Sequence, residues 1–238
     1  MAGKLYLIPS ALSETNAKRY LAPETMEVIF GLKHFIVERA KTARHFLKSI
    51  QYPTHFDEAV MRELDKHKDD DVKFLLQDCV AGCDVGIISE AGVPGVADPG
   101  GIIVRAAHDQ GIEICPLIGP SSILLALMAA GMNGQRFSFH GYLPRNEGEL
   151  INALRNLEQE SKRNDVTQLF IETPYRNDKM LAVLLKYLHP NTSLCMASNI
   201  NAPDQMIVTK TITDWRKSKL VLEKKPTVFL LFSGVMQN

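Results

Sequence analysis

Residues 89–101 read Ser89-Glu90-Ala91-Gly92-Val93-Pro94-Gly95-Val96-Ala97-Asp98-Pro99-Gly100-Gly101, and this stretch decides the fold. It follows an apolar run at 84–88 with the length of a buried strand, and it precedes a helical pattern at 102–110. Its four glycines permit positive φ and close backbone approach, while its two prolines stiffen the chain. The loop is therefore shaped rather than slack. A loop of this length inside a compact domain is usually functional. The competing reading is an Ω-loop that only covers the sheet.

The same strand-then-helix alternation runs outward in both directions. Upstream, strands are expected at 5–8 and 34–37, and helices at 26–32 and 40–50, the latter with Ala43, Phe46, Leu47 and Ile50 on one stripe. Residues 57–64 read as a short helix, 65–71 as a solvated charge run, and 72–81 as a helix stopped by Gly82. Downstream, a strand at 112–115 leads to Gly119-Pro120-Ser121-Ser122, which opens an apolar helix ended by Gly131. The second half offers strands at 137–139, 168–171, 193–197, 205–208 and 227–232, with helices at 147–160, 178–188 and 213–218. Strands joined through helices predict a parallel or mostly parallel α/β sheet. The strands are too many for one sheet, so two α/β domains are expected, 1–117 and 118–238, with a ligand cleft between them.

Composition narrows the function classes. In 238 residues, 27 Lys+Arg balance 27 Asp+Glu, and 45% are hydrophobic, which is ordinary globular composition without a whole-molecule drive toward nucleic acid or membrane. Cys79, Cys83, Cys115 and Cys195 lack the paired spacing of a zinc site, so no metal is expected and the cysteines read as buried free thiols. No run approaches a membrane span or a signal peptide, and a cytoplasmic protein is expected.

In open α/β sheets ligands sit beyond the carboxyl ends of strands. Three such ends stand out: the 89–101 loop with Glu90 and Asp98, the Gly119–Ser122 helix start, and Glu172-Thr173-Pro174-Tyr175-Arg176. Helix-start amides attract anions, though plain capping by Ser121 or Ser122 is the stronger reading of that segment taken alone. Glu172 could accept hydrogen bonds from a ribose or close a helix cap. The phosphate loop, the dinucleotide fingerprint and the nucleophile elbow are missing from the sequence. His140 ends a strand and is a candidate base, against the commoner reading of an exposed or capping histidine, and Trp215 reads as packing.

Taken in order, these blocks resemble the tetrapyrrole methylase superfamily of S-adenosylmethionine-dependent enzymes, nearest to the branch of 16S ribosomal RNA cytidine 2′-O-methyltransferases. Ser89, Glu90, Ala91, Gly92, Val93 and Pro94, then Asp98, Pro99 and Gly100, follow that branch's S-D-A-G-T-P…D-P-G loop. Pro116, Leu117, Gly119, Pro120 and Ser121 match its helix start, Gly141, Tyr142, Leu143 and Pro144 its G-[FY]-L-P turn, and Glu172, Thr173 and Arg176 its E-[ST]-x-x-R strand end. Departures fall at Pro9-Ser10-Ala11-Leu12-Ser13-Glu14, at Glu38-Arg39-Ala40-Lys41 and at Ser198-Asn199-Ile200-Asn201-Ala202, and the helical C-terminal extension of many members is lacking.

The resemblance implies two αβα domains, a homodimer and S-adenosylmethionine as cofactor. It implies cofactor contacts from Ser89, Glu90, Ala91, Gly92, Val93, Pro94, Asp98, Pro120, Ser121, Gly141, Tyr142, Leu143 and Glu172. The expected activity is O-methylation, most naturally of ribosomal RNA ribose, against a small-molecule acceptor or a non-catalytic binding relative. Glu38, Lys41, Asp98 and Glu172 are the candidate catalytic residues, with no choice among them. Two basic stretches are candidates for an RNA partner, and equally for plain solvated surface. One is Lys33, Arg39, Lys41, Arg44 and Lys48 with His34 and His45; the other is Lys210, Arg216, Lys217, Lys219, Lys224 and Lys225.

Overall fold

The computed structural model describes residues 2–13, 17–64 and 72–234. Glu14 and the charge run at 65–71 lie outside the described residues. The chain divides into two compact units, Met1–Ser121 and Ser122–Asn238; the sequence reading places the boundary after residue 117.

The first unit runs β1 (Leu5–Ile8), α1 (Pro23–Gly31), β2 (His34–Val37), α2 (Ala40–Ser49), β3 (Val60–Glu63), α3 (Val72–Leu75), α4 (Gln77–Val80), β4 (Val85–Ile88), α5 (Gly100–Asp109) and β5 (Ile114–Pro116). Its sheet is ordered β3-β2-β4-β1-β5 and every pairing is parallel. Alternation along the strands builds two cores. Phe35, Val37 and Ile88 pack with α1 and α2 through Ile29, Phe46 and Leu47. Ile36, Val85 and Ile87 pack on the other face with Leu75, Cys79 and Ile103 of α3, α4 and α5. Both faces are covered, which explains why β4 is buried at every position.

Two expectations fail here. Residues 57–64 contain a strand instead of a helix. The Val60 amide donates to the Lys33 carbonyl and the Leu64 amide to the Val37 carbonyl, both at 2.8 Å, so edge pairing with β2 overrides the local helical pattern. The single helix expected at 72–81 is broken at Leu76, which leaves helical geometry at φ −90°, ψ 0°.

The second unit runs α6 (Ser122–Ala130), β6 (Phe137–Tyr142), α7 (Glu147–Asn164), β7 (Thr167–Glu172), α8 (Asn177–Tyr187), β8 (Ser193–Ser198), β9 (Met206–Thr211), α9 (Ile212–Lys217) and β10 (Thr227–Phe232). Its sheet order is β6-β7-β10-β8-β9. Only β6–β7 is parallel; β10 runs antiparallel between β7 and β8, and β8–β9 is an antiparallel pair. The expected parallel character therefore fails in this half, because the last strand returns through the middle of the sheet. Phe170, Met196 and Phe229 pack under α7, α8 and α9 with Leu154, Leu184 and Trp215. The Trp215 indole donates to the Leu194 carbonyl at 2.8 Å, which gives it the packing role expected. α6 packs separately on β8, β9 and β10, and it starts at Ser122, leaving Pro120 ahead of the helix rather than inside it.

Candidate functional site

β1 and β4 are neighbours, yet the chain leaves β1 toward α1 on one face and leaves β4 toward α5 on the other. Divergence of adjacent connections opens a crevice at the carboxyl edge of an α/β sheet. The 89–101 loop lies there. Its start is tied to the loop after β1 by an isolated antiparallel bridge between Ser10 and Gly92. Ser89 is buried, with its hydroxyl 3.3 Å from the Gly92 carbonyl. Gly92 and Gly95 stand at φ 76° and 82°, and Ala97 at 63°, so the loop uses left-handed backbone three times within six residues.

Asp98 organises the second half of the loop. Its Oδ1 accepts from the Gly95 and Gly100 amides, each at 2.7 Å. The second of these bonds satisfies an otherwise orphan amide at the start of α5. The carboxylate therefore holds the loop's shape, and it starts the helix at Gly100, two residues before the sequence reading places it. The β5 end packs alongside: a Cβ on Gly119 would stand 2.2 Å from Pro9 Cγ, and the Pro120 carbonyl lies 3.7 Å from where a Gly92 Cβ would be. Pro9, Ser10, Gly92, Gly119 and Pro120 thus form one surface.

Glu38, at the end of β2, accepts from the Glu90 amide at 3.3 Å. Glu90 in turn accepts from the Thr42 hydroxyl at 3.3 Å, and the Ala40 amide donates to Glu63 at 2.6 Å. The start of α2 is thereby pinned to the site loop. Glu38, Ser89, Asp98 and Gly100 rim a recess floored by Ile36, Val37, Ile87 and Ile88, with about 10 Å³ of free volume. That holds roughly one water, so a larger ligand must lie across the loops above it. Lys41 is exposed on α2.

In the second unit Glu172 ends β7 and is buried. Its Oε1 accepts from the Thr173 amide at 2.7 Å, and its Oε2 lies 3.2 Å from Arg176 Nη2. Beside it, Thr227 pairs in register with both Glu172 and Ser198. Buried Asn177 donates to the Lys225 carbonyl at 2.7 Å. Sequence reasoning misses Thr227 and Asn177; the four-residue spacing of Glu172 and Arg176 is its one available signal. Tyr142 pairs beside Ile171 and is exposed, whereas the Leu143 side chain is packed in the core, leaving its backbone for any ligand contact. His140 Nε2 lies 2.6 Å from Gln168 Oε1. Burial pushes the Cys79 thiol up to about 11, which makes it inert near neutral pH.

Both units are three-layer α/β folds, and the first is doubly wound around a parallel sheet with a glycine-rich loop at its strand-end crevice. The chain belongs to the tetrapyrrole (corrin/porphyrin) methylase family, whose model matches residues 17–215. It is 30% identical over 196 residues to ribosomal RNA small subunit methyltransferase I of Halalkalibacterium halodurans, covering 81% of this chain and 63% of that protein. It is 24% identical over 232 residues to the protein of that name from Buchnera aphidicola, covering 96% of this chain and 78% of that one. The chain thus spans less than two thirds of the first relative. Among solved structures it is similar to the methyltransferase CobJ, with TM-score 0.62 and 19% identity over 97% of this chain and 94% of that one. It is also similar to uroporphyrin-III C-methyltransferase from Thermus thermophilus complexed with S-adenosylhomocysteine, with TM-score 0.58 and 17% identity over 97% of each chain. No helix among the described residues is long and apolar enough to cross a membrane.

Proposed function

We propose that this chain is an S-adenosylmethionine-dependent methyltransferase that acts on a ribose hydroxyl of small-subunit ribosomal RNA. The observation that carries the reading is the 89–101 loop: the family's block of residues is folded onto Ser10 at the crevice, with Asp98 holding its backbone open. The relatives' shared name supports the RNA acceptor.

The residues fit such a cofactor in kind. Apolar Ile36, Val37 and Ile88 lie beneath a polar rim of Glu38 and Ser89. Ser89, Glu90, Ala91, Gly92, Val93, Pro94, Pro120 and Ser121 of the first unit would hold it largely through backbone. Bound S-adenosylmethionine supplies an electrophilic sulfonium methyl. The protein's part is alignment, which alone can contribute up to about 7–11 kcal/mol, and acceptance of the ribose hydroxyl proton. Of the four candidate catalytic residues, Asp98 and Glu172 are committed to local backbone and Arg176, and Lys41 carries a cation. Glu38 also holds a backbone amide, that of Glu90, but at 3.3 Å rather than 2.7 Å, and from the recess rim it is the proton acceptor in this reading. A homodimer and a cytoplasmic location complete it; exposed Leu124 and Met128, one turn apart on α6, offer an apolar contact surface.

The test is transfer of labelled methyl from S-adenosylmethionine into small ribosomal subunits, with calorimetric titration of S-adenosylhomocysteine alongside. Methyl incorporation at a ribose supports the reading. Tight S-adenosylhomocysteine binding without transfer to RNA would replace it with a small-molecule enzyme or a binding-only relative.

A further inference from the structure

The exposed face of α2 carries Lys41, Arg44, His45 and Lys48, spaced so that all four lie on one stripe. Ala43, Phe46 and Leu47 occupy the opposite, buried face. The helix contains no Asp or Glu. Among the described residues no carboxylate pairs with Lys41, Arg44 or Lys48. The carboxylates that do reach α2, Glu63 and Glu90, meet Ala40 and Thr42 in its first turn. Exposed Arg19 extends the positive surface from the 3-10 turn at Ala17–Tyr20, which packs against α2.

The second basic stretch differs. Arg216 is spent on the Leu185 and Leu188 carbonyls, Lys217 on Asp214, and Lys225 on Asp204 and Glu223. Lys210 lies over the Trp215 ring and donates to Ser218, and Lys224 lies over the Tyr175 ring, which leaves exposed Lys219 as the one cation of this stretch without such a contact among the described residues. Long basic side chains held by their own fold have little left for a partner. Those of α2 meet no carboxylate among the described residues, and such a cationic stripe is complementary to a polyphosphate backbone.

We propose that the Lys41–Arg44–Lys48 face of α2 is the docking surface for the phosphate backbone of the RNA substrate. This rests on the methyltransferase reading above and deepens it. The position of α2 fits such a role. Thr42, next to Lys41, is hydrogen-bonded to Glu90 of the site loop, so RNA held along α2 runs toward the Glu38 rim. Phosphate contacts carry no sequence information; they set register and orientation. This face therefore contributes affinity, and selection of the acceptor nucleotide belongs to the crevice.

The experiment uses Arg44→Ala/Lys48→Ala, with Lys210→Glu/Lys217→Glu as the control. Binding to a short single-stranded RNA and to small ribosomal subunits is measured across a salt series, with S-adenosylhomocysteine affinity as the check on folding. Loss of two phosphate contacts should weaken RNA binding about 25-fold at 0.1 M salt and lower the slope of log affinity against log salt by about 1.4. The S-adenosylhomocysteine affinity and the control variant should match wild type. Unchanged affinity and slope in the α2 variant, while wild type methylates RNA, overturns the docking face alone. A wild-type protein that binds neither RNA overturns the RNA reading and the docking face with it.

Discussion

Ser10 and Gly92 hold each other by two backbone hydrogen bonds, Ser10 amide to Gly92 carbonyl at 2.8 Å and Gly92 amide to Ser10 carbonyl at 3.3 Å. They stand 82 positions apart in sequence, and the pair locks the loop after β1 to the loop after β4. Gly92 does so at φ 76°, where an added Cβ would sit 3.3 Å from Leu12 Cδ2.

A side chain at Gly92 should therefore reshape the 89–101 loop without touching either core. Gly92→Val forces a β-branched residue into left-handed backbone, at about 1–3 kcal/mol. The expected result is a folded protein that has lost S-adenosylhomocysteine binding, read by calorimetry beside a thermal melt. Wild-type affinity in that variant would show that the ligand does not use this loop.

Glu38→Gln keeps the acceptor oxygen for the Glu90 amide and removes the proton-accepting charge. Methyl transfer should fall by about 10²–10⁴-fold, while S-adenosylhomocysteine affinity holds. A turnover rate within a few-fold of wild type would return the proton-accepting role to another group.

The Arg62 guanidinium, bonded to Asp78 at 2.9 and 3.0 Å, holds that carboxyl below the usual range, with His34 at 3.0 Å adding to the effect. A depressed pKa in the folded state stabilises the protein above the unfolded-state value of about 4, and the contribution is lost as pH falls through the lower folded value. Asp78→Asn should cost about 1–3 kcal/mol near neutral pH and flatten the acid limb of the stability curve. Urea midpoints measured from neutral pH down into the acid range are the check; parallel curves for variant and wild type would remove Asp78 from the account.

Light scattering should give twice the 26.6 kDa chain mass. Met128→Lys, at a position 78% exposed, should shift the protein toward monomer if α6 forms the contact. A monomer mass for wild type at high concentration ends the dimer proposal.

Much of the site is legible in sequence because its parts are local. Gly92, Gly95 and Pro94 announce a shaped loop within a few residues, and the i,i+4 spacing of Glu172 and Arg176 announces an ion pair. The role of Asp98 is not legible in that way. In sequence it stands as a candidate cofactor contact and catalytic carboxylate, and it becomes a loop staple only once the Gly95 and Gly100 amides converge on it. The Asp78 cluster is invisible for a related reason: His34, Arg62 and Asp78 come from β2, β3 and α4, and meet only when those elements pack.

By itself the sequence determined the strands at Leu5–Ile8, His34–Val37 and Thr227–Phe232, the amphipathic α7, and the order of the family's motif blocks. Apolar periodicity and Gly/Pro punctuation act over a few residues, so one chain suffices to read them. Only the tertiary structure decided that residues 60–63 are an edge strand, that β10 returns antiparallel between β7 and β8, and which lysines remain unpaired among the described residues. Each of these depends on partners far away in sequence, and long-range pairing energy outweighs local propensities of less than about 1 kcal/mol per residue.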